Sequence, residues 1–468
     1  MFNKRMVRIT FAAVLILIAV IGGLFWQNRP LGWSHENQIT QGSGDSRLVD
    51  LSTDPSSNTL HLAWEDTRDN STQVYYKRSV DDGVTWGPDI RLSNLTAGTV
   101  EPEPRIGSDG NTVLVFFSDE TPTGGHIFYV SSVDGGNYFS SPTQLTYDEG
   151  DQSHGALAFV GSTVHFVYQD YFNNGDEHIF YTKSPDGGVT WQDKVALTNT
   201  SGAQDHYPAI AAVNDHVFVA WSRYYLFYEA IYSKASFDSG KSWNTDVQVS
   251  EYAPPSFLEF PAIGSNGTQV HVAWDSEGIQ YSQSEDSGIT WSNPIPITNT
   301  TRQYLAPRIS VSKPHIQVAS AAISTVGTPP RITIDSDVYY LSSSDGGQSW
   351  TKPLSLTMHE FGKLSLAPAI WNQVDKTFVA WEDNRNGRLS IFFLSKPDFS
   401  ELRGFEWKLF GLAGIAIVVT TIVYIGLETW FRRIVSRHKV RRRRSRRKSH
   451  DVRSKPRSSF IRSAIRFD

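Results

Sequence analysis

The chain has 468 residues, with 43 Lys+Arg against 48 Asp+Glu, 13% aromatic residues and no cysteine. The missing cysteine excludes a disulfide framework, a thiolate metal site and a cysteine nucleophile. The aromatic content excludes a disordered chain, and a charged fraction of only 19% excludes a long polar helix or coiled coil.

The net charge of −5 conceals a partition. Residues 1–8 form a basic end carrying Lys4, Arg5 and Arg8, and residues 428–468 hold 16 Lys/Arg against 3 Asp/Glu. The stretch between them, 9–427, keeps 24 basic and 45 acidic groups, a net of −21. Residues 9–26 are an uncharged run of 18, close to the ~20 residues that cross a bilayer as a helix. This run reads as a transmembrane signal-anchor. A cleaved signal peptide is the alternative, but no small-x-small site ends the run, and Phe25-Trp26 suits an interfacial anchor.

Residues 37–396 are a repeat. Six segments read Ser-x-Asp-x-Gly-x-x-aromatic, with aspartates Asp81, Asp134, Asp186, Asp238, Asp286 and Asp345 spaced 53, 52, 52, 48 and 59 residues apart. A period near 50 means a solenoid or a propeller. Before each box lie two runs rich in β-branched and aromatic residues, such as LHLAW and QVYYKRS, and a short strand such as IRLS follows. Four short antiparallel strands per repeat make a propeller blade. The second strand recurs seven times, ending with residues 377–381, whereas the box recurs six times. The seventh unit lacks a fourth strand, and NQIT (37–40) supplies it from the other end of the repeat. The expected fold is therefore all-β: a seven-bladed β-propeller of four-stranded antiparallel blades, or six-bladed if the boxes alone set the count. Pairing of NQIT with the last blade would remove exposed edge strands.

Residues 409–427 form a second uncharged run, of 19, followed by Arg432-Arg433, and read as a transmembrane helix. Both runs carry their positive charge on the flank away from the middle. The expectation is thus a two-pass protein of the cell membrane with both termini cytoplasmic and the propeller extracellular. The basic tail 428–468 is expected to lie on anionic lipid rather than nucleic acid. An exterior domain without disulfides fits a prokaryotic surface.

The boxes resemble the Asp-box (bacterial neuraminidase) repeat of sialidases and of many propellers that are not sialidases. Six near-identical copies suit a turn clip, since chemistry needs one asymmetric point, so the box aspartates are expected to be structural. The loops on the opposite face gather carboxylates, arginines and aromatics, which suits a polar ligand. The resemblance implies, for an active sialidase, three arginines on the substrate carboxylate, a Tyr–Glu nucleophile and an Asp acid/base. The family's Phe/Tyr-Arg-Ile-Pro motif is absent. Its nearest matches are Pro104-Arg105-Ile106 and Pro307-Arg308-Ile309, where Arg replaces the Ala of sibling repeats. Arg105 and Arg308 are therefore expected near the axis as ligand contacts. The loop containing Asp66 and Arg68 resembles the acid/base loop, and Arg385 sits in its repeat, Glu382-Asp383-Asn384-Arg385; Arg68 and Arg385 are further expected ligand contacts. Tyr207 and Tyr304 are nucleophile candidates, with Glu259 or Glu360 as a partner carboxylate.

His154, His178, His206 and His359 fit no metal-ligand spacing. No cofactor is expected, and calcium on loop carboxylates is the one ion considered. The function expected is binding of an extracellular glycan or protein ligand. The alternatives are an exo-acting glycoside hydrolase of sialidase type and a scaffold for membrane-complex assembly.

Overall fold

The computed structural model describes residues 32–396 except 55–56, 70, 96–100, 122–123, 149, 173–174, 253–259, 300–301, 329–330, 358–361 and 374–375. The apolar runs 9–26 and 409–427, the basic ends, Glu259 and Glu360 lie outside the described residues. Among those described, no helix is long and apolar enough to cross a membrane.

The described residues are all-β and propeller-like, built from four-stranded antiparallel units. Their first strands are Ser46–Thr53, Arg105–Asp109, Asp151–Val160, Ala203–Val213, Ala262–Ser265, Gln303–Ser312 and Ser365–Gln373. Their second strands are Leu60–Asp66, Thr112–Thr121, Thr163–Tyr171, His216–Tyr225, Val270–Ser276, His315–Thr328 and Lys376–Asp383. One parallel pair, Glu177↔Gln204, joins the third and fourth units. The last unit takes its fourth strand from the N-terminal side, with Asn37 opposite Phe393 and Gln38 opposite Phe392.

Second strands are buried along most of their length, and Leu60–Asp66 throughout, because both faces of each sheet are covered. The core lies between units. Leu60, Leu62 and Trp64 of the first unit pack with Phe378, Ala380 and Phe393 of the last. Phe218 and Ala220 pack likewise with Val270 and Val272. Each first strand lies beside the first strands of its neighbours, and Ser46–Thr53 lies beside both Arg105–Asp109 and Ser365–Gln373.

The stretch 321–337 extends the sixth unit's hairpin, with Ala321↔Val338 running on to Thr328↔Arg331. Ile323, Thr325, Ile332 and Thr333 favour extended backbone, so the strands continue past the length of their siblings.

The box ends each third strand. In the first, Ser79 Oγ accepts the Gly83 N–H at 2.8 Å and donates to Asp81 at 2.7 Å, while Asp81 accepts the Thr85 N–H at 2.8 Å. The second box glycine meets a further demand. A Cβ on Gly136, Gly240 or Gly347 would lie 1.9, 2.1 or 2.0 Å from the hydroxyl oxygen of Tyr76, Tyr181 or Tyr281 of the preceding unit. Their φ values are +81°, +77° and +91°. Gly240→Ala is therefore expected to cost about 2–5 kcal/mol in denaturant unfolding, from left-handed strain plus overpacking. Gly346→Ala, with φ +72° but open space around it, should show only the strain, about 1–2 kcal/mol.

Candidate functional site: the mouth opposite the boxes

The second strand of each unit runs away from the box, since Leu60 pairs with Ser79 and Asp66 with Gln73. At its far end the first strand bulges. Register shifts fall between Arg47/Asp50, Ser153/Ala156, His206/Ala209, Leu305/Arg308 and Leu366/Ala369. The extra residue takes a left-handed conformation without glycine: Leu48, His154, Tyr207, Ala306 and Ala367 have φ of 46°, 51°, 53°, 43° and 45°. Glu103, at the matching place in the second unit, has φ 46°. A bulge re-aims backbone and side chains, and here it turns an N–H toward the preceding unit. The Leu48 N–H donates to Glu382 at 2.9 Å, Glu103 to Glu65 at 2.8 Å, Tyr207 to Gln169 at 2.9 Å and Ala306 to Asp275 at 3.3 Å. Burial pushes Glu65 up to about 8 and Asp275 up to about 7, and raises Glu382 as well. A carboxyl kept neutral still accepts the bulge N–H without holding a buried charge.

The bulge residues differ in size around the mouth. Glu103 pairs with His154 Nε2 at 3.0 Å. The His154 ring stands edge-on to Tyr207 at 4.9 Å, and Tyr207 meets Phe260 at 4.1 Å. Units two to five thus carry a continuous acidic-aromatic wall, whereas units six, seven and one offer only Ala306, Ala367 and Leu48. This asymmetry is the single point that sixfold boxes lack.

Two residues beyond the bulge stand Asp50, Arg105 and Arg308, where the other units have Ala156, Ala209, Ala262 and Ala369. Asp50 accepts the Ile106 N–H at 2.9 Å. Arg105 Nη1 donates to its neighbour's carbonyl, Pro104 O, at 3.1 Å. Among the described residues neither arginine has a carboxylate within salt-bridge distance, and the Arg308 guanidinium makes no hydrogen bond. Burial, then the like charge of Arg105, lowers Arg308 to about 10, with Asp50, Glu103 and Asp275 acting the other way. Burial would raise Glu103, but the His154 bond and the charges of Arg105 and Arg308 hold it below the usual carboxylate range. The arginines and Glu103 therefore share one electrostatic field.

The other candidates are engaged elsewhere. Asp66 accepts from Arg68 through Nη2 at 2.6 Å and through its N–H at 2.9 Å, from Trp64 Nε1 at 3.1 Å and from Ser46 Oγ at 2.9 Å. These bonds overcome burial and hold it ionised. Arg68 also grips Asp89 at 2.6 Å. Arg385 repeats the clasp, on Asp383 at 2.7 Å and on Glu36. Tyr304 is buried edge-on to Tyr339 at 5.7 Å. Burial and the carboxylates Glu177, Glu103, Glu229 and Asp275 raise Tyr207, so its phenol stays protonated. Beside it, hydrogen bonds to Glu177 and Glu229 outweigh burial and push His206 up to about 9. No group of three or more His, Asp or Glu that could hold a metal ion occurs among the described residues.

Asp50, Phe260 and the acceptors Glu65 and Asp275 were not foreseen. The signal for Asp50 and Phe260 lies in the repeat, where they occupy the places of Arg105 and Tyr207.

Residues 28–219 match the family model described as a BNR repeat-like domain. No curated protein matches. Among solved structures, the chain is similar to a polysaccharide lyase, an ulvan lyase, at 11% identity, 76% of this chain, 95% of that chain and TM-score 0.49. It is similar to an α-L-arabinofuranosidase from Fusarium graminearum at 14% identity, 66% of this chain, 98% of that one and TM-score 0.46. It is also similar to the Trypanosoma rangeli sialidase at 13% identity, 78% of this chain and TM-score 0.45, spanning 59% of that chain.

Proposed function

We propose that the chain is a membrane-anchored binding protein whose domain, a closed seven-bladed propeller, takes an anionic extracellular ligand, a glycan or an acidic protein segment, at the mouth opposite the boxes. The cyclic order of first-strand neighbours supports the closed ring. The two apolar runs flanked by basic ends support the two-pass anchor, with the propeller outside and the tail on anionic lipid. The ligand reading rests on Arg105 and Arg308, two guanidiniums without a carboxylate partner among the described residues. They belong to a mouth with small residues on one side and Glu103, His154, Tyr207 and Phe260 on the other. A guanidinium fork matches carboxylate or sulfate geometry, and the open side leaves room for the ligand. Binding rather than hydrolysis is favoured because Asp66 has its oxygens committed and Tyr207 is held protonated.

The test is calorimetry on the full chain in nanodiscs, titrated with a panel of sialosides and uronate oligosaccharides. Charge-assisted hydrogen bonds contribute about 1.5–3 kcal/mol each. Arg105→Ala/Arg308→Ala should therefore weaken binding at least a hundredfold. Its melting temperature should hold or rise, because a desolvated unpaired charge is removed. Unchanged affinity in the folded variant would sink the reading.

A further inference from the structure

A second place breaks the repeat, on the flank of the sixth unit. Tyr75, Tyr232, Phe392 and Tyr339 occupy one position, each opposite the second residue of the unit's fourth strand. In every case an arginine lies over the ring: Arg68 at 4.3 Å, Arg223 at 4.5 Å, Arg385 at 4.2 Å and Arg302 at 5.4 Å. The first three are each neutralised twice, by Asp66 and Asp89, by Asp205 and Asp246, and by Asp383 and Glu36. Asp89, Asp246 and Glu36 directly precede the fourth strand, and there the sixth unit has Pro353. Ala322 stands in register where Asp66 and Asp383 stand, and Ser320 where Trp64, Trp221 and Trp381 stand. Arg302 consequently has no ion pair among the described residues. Asp337, which adds negative charge near Tyr339, is itself engaged by Thr357 Oγ1 at 3.0 Å.

Beside Arg302 lies a groove of ≈ 690 Å³, lined among others by Asn299, Tyr339, Gln348, Trp350, Lys352 and Pro353, the residue that replaces the second carboxylate. That volume lies inside the ~300–1,000 Å³ of small-molecule sites. Tyr339 and Trp350 are partly exposed there, and Lys352 adds a second cation at the rim.

We propose that this groove is a binding site for an acidic saccharide, one sugar ring lying against Tyr339 and Trp350 and its carboxylate or sulfate held by Arg302 and Lys352. A cation over an aromatic face, with amides at the rim, suits a ligand that is flat on one side, hydroxylated at its edge and negatively charged. The site is separate from the mouth and does not depend on the reading given for it.

The test is calorimetry on the full chain in nanodiscs with three probes: a polygalacturonate-derived hexasaccharide, a heparin-derived hexasaccharide and neutral cellohexaose. At least one acidic probe should bind, the neutral one should not, and the acidic pair tells carboxylate from sulfate. Arg302→Gln should weaken that binding at least tenfold. Pro353→Asp, which restores the partner found in sibling units, should do the same while leaving the fold intact by melting temperature. Arg105→Ala/Arg308→Ala should leave a tight site in place. The proposal is overturned if neither acidic probe binds the parent below about 1 mM, or if binding survives both Arg302→Gln and Pro353→Asp. It is also overturned if binding vanishes only in the Arg105/Arg308 variant, which would assign it to the mouth.

Discussion

Acidification from pH 6.5 to pH 4 is expected to draw about 8 kcal/mol of stability from the domain through three histidines, of which the buried carboxyls Glu65 and Asp275 return about 5 kcal/mol. His61, His165 and His271 lie buried in the second strands of units one, three and five. Each meets a tyrosine hydroxyl through Nδ1 at 2.7 Å, those of Tyr76, Tyr181 and Tyr281. Their Nε2 atoms have no hydrogen-bond partner among the described residues, so a proton added there would be a buried charge without an acceptor. Burial pushes all three down to about 4, helped by Arg78 at His61 and Lys183 at His165. The unfolded chain titrates near 6.5, so between 6.5 and 4 it binds more protons than the folded one, and stability falls as pH falls. Each histidine accounts for about 2.6 kcal/mol over that window, and the sum is comparable with the ~5–15 kcal/mol that holds a domain folded. The same tyrosines sit under the second box glycine of the next unit, so the loss should be felt between units and unfolding should stay cooperative. The check is the urea midpoint from pH 7.5 to 4 for the parent and for His165→Gln. The parent should lose stability below pH 6, and the variant's loss from pH 6 to pH 4 should be about 2 kcal/mol smaller. A flat parent profile down to pH 4.5 would contradict the assignment.

Where residues act through a local rule, the sequence was readable. The box is such a case: Ser79, Asp81 and Gly83 close a turn within five positions, and the spacing of six copies exposes the period. Arg105 and Arg308 stood out because their siblings carry alanine, a comparison internal to the chain. The bulges left no such trace. Glycine ordinarily marks a left-handed residue, yet here Leu48, His154 and Tyr207 adopt that conformation because a neighbouring unit receives the N–H. Glu65, Asp275 and Glu382 look like surface loop carboxylates in sequence, and only the preceding-unit register turns them into buried acceptors. The Glu65-Asp66-Thr67-Arg68 loop misleads for the opposite reason. Its resemblance to an acid/base loop is real in residue type, but Arg68 folds back two positions and occupies Asp66. At Arg302 the chemistry comes from what is missing, the carboxylates replaced by Ala322 and Pro353, and an absence becomes visible only once the strands are in register.

The neutral carboxyls at the mouth predict an alkaline limb that opposes the histidines. Glu65 has a folded value of about 8 against an ordinary 4.5, set by burial, which the Glu103 N–H opposes and the carboxylates Glu103, Glu101 and Glu382 reinforce. Below 4.5 it is protonated folded and unfolded alike. As pH rises from there to 8 the unfolded chain has released its proton and the folded one has not. Stability then falls by about 5 kcal/mol across the whole window, of which about 3 lies above pH 6. Asp275, raised from 3.8 to about 7, adds a loss that is complete near neutrality. With three histidines pulling the other way, the parent should be most stable near pH 6. Glu65→Gln keeps an oxygen for the Glu103 N–H and removes the titration, so it should exceed the parent by about 2 kcal/mol at pH 6. At pH 9 the excess should reach about 5 kcal/mol. Denaturant curves at the two pH values decide this, and parallel losses in parent and variant would refute the buried neutral carboxyl. Ionised Glu65 also places a negative charge beside Glu103, in the field of Arg105 and Arg308. Anion binding at the mouth should therefore weaken over the same alkaline range in the parent and persist in Glu65→Gln.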